Sequence, residues 1–209
     1  MFELNNVIDG VTAIATCIGV GIAGIGLKTW KQQILGNKKY EVSIETLIKL
    51  KIFINTVGRF RAPFIPVSEA IDSYKTKKGE SLDLMDNKEL KLANNYAMES
   101  RWLKVIGAYA DFESSFIKLE VIFNEERFKE SIGLEKITNI LYRLTDAWRQ
   151  HDYYQTELDR TTSPDKRNEL DQKIEKVEGI LYSHIGTEIG EELETYYSNV
   201  AREFKDHIK

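Results

Sequence analysis

Residues 10–27, GVTAIATCIGVGIAGIGL, carry no charge over 18 positions and are apolar or small throughout. At a rise of about 1.5 Å per residue the run covers about 27 Å as a helix. With Val7 and Ile8 across Asp9 it approaches the roughly 30 Å of a hydrocarbon core. It predicts a membrane-spanning helix. The rest of the chain is polar and helix-patterned, so the expected architecture is all-α: an N-terminal transmembrane helix followed by an elongated antiparallel helical bundle or coiled-coil domain. Residues 1–35 are assigned to a short exposed tail, the anchor and a basic juxtamembrane segment, and residues 36–209 to one helical domain.

A chain of 209 residues has room for an anchor and one ordinary domain. Its three prolines, Pro63, Pro66 and Pro164, lie where the hydrophobic period breaks, leaving long spans in which helices run uninterrupted. The net charge of −4 hides a division. Residues 1–27 hold two acids and no base, giving −2; residues 28–61 hold eight Lys or Arg against two Glu, giving +6; the remainder is −8. A basic block directly after the apolar run orients the helix with its N-terminus outside and its long C-terminal part in the cytoplasm, at the cell inner (cytoplasmic) membrane. Lys28, Trp30 and Lys31 mark the inner interface, where the indole sits at the headgroups and the lysines face anionic lipid. Membrane lipid is thus an expected partner. Cys17 is the one cysteine, so no intramolecular disulfide and no Cys-based zinc site can form. The N-terminus lacks a basic n-region, so an uncleaved anchor is expected.

Within the run, Ala15, Gly19 and Ala23 recur every four residues, a spacing that lets two membrane helices approach closely and predicts self-association. Gly19, Gly21 and Gly24 also spell G-x-G-x-x-G, but no strand precedes them and no parallel-strand pattern follows, so the dinucleotide reading is set aside. Gly36-Asn37 is expected to end the membrane helix. Residues 40–58 keep an approximate helical stripe through Ile44, Leu47, Ile48 and Val57. RAPFIPVSE, residues 61–69, interrupts it, because two prolines three apart force extended backbone. Arg59, Phe60, Arg61 and Phe64 read either as a docking loop or as a rigid elbow with its aromatics tucked inward. Ser68 is placed as the cap of a short helix through Tyr74, followed by a polar loop at 75–86.

The order of an apolar anchor, TWKQQILGNKKYE at 29–41 and a Lys-rich segment ending in FRAPFIPVSE resembles uncharacterised small bacterial single-pass membrane-anchored helical proteins. They share a W-K, G-x-x-x-Y-E and P-F-I pattern over the first third of the chain. The resemblance implies a bacterial membrane-anchored helical protein and brings no activity, cofactor or catalytic residue with it.

Three long helices are predicted beyond the elbow, at about 87–132, 134–161 and 164–207. In the first, Met98, Trp102, Val105, Tyr109, Phe112, Phe116, Leu119 and Phe123 alternate steps of three and four, an aromatic heptad seam. The second carries Ile137, Leu141, Leu144, Trp148 and Leu158. The third begins at Ser163-Pro164, with Leu170, Ile174, Val177 and Leu181 continued less regularly by Ile185, Ile189, Leu193, Tyr196, Val200 and Phe204. Short connections make these helices antiparallel neighbours, with residues 40–60 as a fourth member.

No constellation for catalysis is evident. There is no phosphate-loop motif, no H-E-x-x-H and no Glu-x-x-His pair, and His151, His184 and His207 lack metal-ligand spacing. Nucleic acid is disfavoured because the basic block lies against the membrane and the rest is acidic. The expected role is a membrane-anchored scaffold that recruits itself or a protein partner, with no cofactor and no enzymatic activity. The alternative is a membrane-perturbing defence or toxin component assembling through its Gly-rich helix.

Overall fold

The computed structural model describes residues 2–82, 86–123, 133–182 and 188–208, with side chains from Ile14 to Lys205 within those ranges. They form six helices, and the described residues contain no strand. α1 (Phe2–Phe60) is unbroken over 59 residues, about 90 Å of helix. The brief tail expected before residue 10 is helical from Phe2. The stop expected at Gly36-Asn37 does not occur. A glycine C-cap works by taking a left-handed conformation, and positive φ is found at Gly79 alone among the described glycines. A glycine left inside a helix costs only about 1 kcal/mol, which a long flanking helix absorbs. The helix therefore runs unbroken through residues 35 and 36.

From Val42 onward α1 packs. Ser43, Thr46, Leu50, Phe53, Val57 and Phe60, at steps of three and four, are its buried face. The sequence stripe had included Ile44 and Ile48, which instead stand 38% and 56% exposed. The seam starts with two polar residues, and Thr46 is tolerated because its Oγ1 donates to the Val42 carbonyl at 2.8 Å.

α3 (Asn87–Phe123) runs antiparallel to α1, with Phe112 stacked on Phe53 and Trp102 against Phe60. Its predicted seam holds at every position, with Val105, Phe112, Phe116 and Leu119 fully buried. The stretch 124–132 of the predicted helix lies outside the described residues. α4 (Glu135–Arg160) lies along the same tier, bringing Trp148 within 6.1 Å of Phe60 and 6.0 Å of Trp102, ring to ring. α6 (Glu188–Ile208) completes the tier, pinned by Arg143–Glu192 at 2.7 Å and Lys51–Glu194 at 2.8 Å. A second, smaller tier is α2 (Val67–Lys78) on the first turns of α3, with a core of Ala70, Tyr74 and Ala93, whereas α5 (Pro164–Leu181) packs along α4 and delivers Val177 and Leu181 to the main core.

The predicted third long helix is thus two, α5 ending at Leu181 and α6 running from Glu188, while Ile185 of the predicted stripe lies outside the described residues. Ser163 and Pro164 do open α5, at the cap and first helical positions. α2 starts after Pro66 rather than at Ser68, and it runs on to Lys78, where Gly79 at φ 75° closes it. The expected loop at 75–86 is shortened accordingly.

Candidate functional site: the projecting arm of α1

From Ile14 to Lys38 every side chain of α1 is exposed. Ile18, Val20, Ile25 and Leu27 stand 57–70% open, and at about 100° per residue Ile18 and Ile25 leave the helix on one side while Val20 and Leu27 leave it on the opposite one. The contrast with the packed half of the same helix is sharp. At the far end of the apolar run sits Trp30, 59% exposed, between Lys28 and Lys31. Ala15, Gly19 and Ala23 lie open on the arm, with nothing within 4 Å of the position a Gly19 Cβ would take. Gly19, Gly21 and Gly24 are all mid-helix, so they form no phosphate-cradling loop. Cys17 is a free, exposed thiol on the same arm.

Among the described residues no helix is long and apolar enough to cross a membrane. Of the transmembrane segment expected at 10–27, the side chains of 10–13 lie outside the described ones.

The elbow at 61–69 is clamped from within. Arg101, 8% exposed, donates from Nε and Nη2 to both Glu69 oxygens at 2.8 and 2.7 Å, and to the carbonyls of Ala62 and Phe64 at 3.1 Å each. The Arg101 hydrogen bonds hold the Glu69 carboxyl below its ordinary range, against a smaller opposing effect of burial. Of the four residues considered for docking, Phe60 is fully buried and Arg61 is buried with its Nε on the Ile180 carbonyl at 3.2 Å, so neither is open to a partner. Arg59 and Phe64 are exposed.

No protein-family model, curated protein or solved structure matches the chain.

Open grooves flank the bundle among the described residues. One, of about 630 Å³ between α2 and α3, is lined by Ser68, Asp72, Thr76, Tyr96, Ser100 and Lys104 among others. The second, of about 430 Å³ between α4 and α6, is rich in glutamates, with Glu188, Glu191 and Glu192 facing Lys136. Glu192 is held by Arg143, whose guanidinium pKa is raised by that hydrogen bond. His151 approaches Glu178 at 3.2 Å and meets the Tyr182 ring edge-on. Among the described residues no group of His, Cys, Asp and Glu could hold a metal. The residues that sequence reasoning missed are Arg101 and Glu69, whose pairing spans 32 positions, and Ile52, exposed on the outside of α1.

Proposed function

We propose that the chain is a membrane-anchored scaffold, in which the arm of α1 is seated in a bilayer and the two-tier bundle is held at its cytoplasmic face. The observation that carries this reading is the all-round exposure of an uncharged helical arm ending in a Trp-Lys collar. A helix hydrophobic on every side has no favourable arrangement in water. Removing a large aliphatic side chain from water is worth about 1.5–3 kcal/mol. Ile14, Ile18, Val20, Ile22, Ile25 and Leu27 together supply on the order of 10 kcal/mol. The helix satisfies its own backbone, as lipid demands. The cationic residues that follow favour the cytoplasmic side for everything after residue 28.

The test is alkaline carbonate extraction of the full chain beside a version starting at Lys28. The full chain is expected in the membrane pellet and the shortened one in the supernatant with its helical content retained. Release of both would overturn the anchor and require that protein, not lipid, covers residues 14–27.

A further inference from the structure

At 3.6 residues per turn, Ile44, Ile48 and Ile52 form a row on the side of α1 turned away from the bundle. They are 38%, 56% and 52% exposed, while Leu50, Phe53 and Val57 on the opposite side are buried. Lipid cannot cover this row. Ile48 stands 18 residues beyond Trp30, about 27 Å along the helix, so an indole at the headgroups leaves the isoleucines in water. Their cover is therefore protein.

Ala15, Gly19 and Ala23 each precede one member of this row by 29 residues. That interval is about eight full turns, so both rows share one side of the helix to within about 20°. The lysines do the opposite. Lys28, Lys31, Lys38 and Lys39 all project within about 90° of the bundle-facing direction, whereas Gly26, Trp30, Gln33 and Asn37 lie on the outward side. Between Ala15 and Ile52 the charges on that outward strip are Glu41 and Lys51. Lys51 is drawn sideways to Glu194 at 2.8 Å and over the Tyr197 ring at 5.0 Å.

We infer that the outward strip of α1 is the contact between two copies of this chain, their α1 helices parallel about a twofold axis. In such an isologous contact each patch meets itself, so it must be nearly free of charge, and like charges must face away from the axis. The strip meets both conditions except at Glu41, which lies within about 20° of Ile48. A different partner would have to present one rod to the small-residue row and, about 27 Å further on, to the isoleucine row; α1 is itself such a rod. The inference rests on the membrane reading in two respects, that an indole at the headgroups keeps the isoleucine row out of lipid and that insertion in one bilayer gives both copies the same orientation.

The test uses the full chain in membranes, with single cysteines at Ile48 or Ile52 in a Cys17→Ser background. Controls are Leu103→Cys in the same background, on the outer side of α3 and 60% exposed, and native Cys17, which lies on the bundle-facing side of the arm. Oxidation is expected to give at least tenfold more dimer at Ile48 and Ile52 than at either control. In mild detergent, wild type and Leu103→Asp are expected to be dimers and Ile48→Asp a monomer. Cross-linking at Ile48 and Ile52 no higher than at the controls, or a dimer unchanged by Ile48→Asp, would overturn the inference. Carbonate extraction of the same samples separates the two readings. Pelleted protein without cross-links removes the dimer and leaves the anchor, and released protein that still cross-links at Ile48 and Ile52 removes the anchor and leaves the dimer.

Discussion

The two halves of α1 share one run of backbone hydrogen bonds and differ in almost everything else. Over 42–60 the apolar residues return at steps of three and four, and one side of the helix disappears into a core with Phe112, Trp102 and Trp148. Over 14–27 they stand on opposite sides of the helix with no charge between them, and all are exposed. Hydrophobic content alone does not distinguish these fates; its angular distribution does. A one-sided distribution is satisfied by protein, and an all-round one requires a surrounding medium.

The comparison breaks first at Phe60. Phe60→Ala deletes a fully buried ring from the Trp102–Trp148 cluster and is expected to lower stability by about 3–5 kcal/mol. Ile34→Ala, on the arm, is expected to leave it within about 0.5 kcal/mol. Denaturant unfolding of the chain beginning at Lys28 checks both, and equal losses would mean that the arm packs after all.

A smaller effect is expected at the elbow. Glu69→Gln removes the charge that faces Arg101 and should cost about 1.5–3 kcal/mol. The Glu69 pKa is depressed in the folded state, so its contribution is complete above the unfolded value of 4.5 and disappears as pH falls through the lower folded value. The melting temperature should therefore fall more steeply with acid in wild type than in Glu69→Gln.

Ser43 is fully buried, and its Oγ has no hydrogen-bond partner among the described residues. Ser43→Ala is expected to raise the unfolding free energy by about 1 kcal/mol. The finest discrimination comes from one substitution made in both halves. Gly58 and Gly36 are helical with nothing within 4 Å of an added Cβ. Gly58→Ala should add about 0.5–1 kcal/mol to global stability, whereas Gly36→Ala should leave global unfolding unchanged and slow amide exchange in the arm only.

The sequence disclosed the elements whose side chains repeat without interruption. The α3 seam was legible because its aromatics keep strict spacing, and Ser163-Pro164 because a cap and a proline coincide. The register of 42–60 was hidden by Ser43 and Thr46, polar residues on a buried face, while Ile44 and Ile48 offered an equally good but external row. The two prolines announced the elbow, but its clamp, Arg101, is an ordinary charged residue in sequence and becomes special only when folding places it under Ala62 and Phe64. The break between α5 and α6 carries no proline, and Gly36 carries a stop signal that the chain does not use.

Because α1 passes from the arm to Phe60 without a proline or a left-handed residue, it acts as a stiff lever. Phe60 stands 30 residues beyond Trp30, about 45 Å along the axis. With the arm seated in a bilayer as proposed, where helices commonly tilt by about 20°, a change of that size at the interface would sweep Phe60 sideways by about 15 Å. Bilayer thickness would then be a mechanical input to the bundle, read as the angle at which its far tier is held.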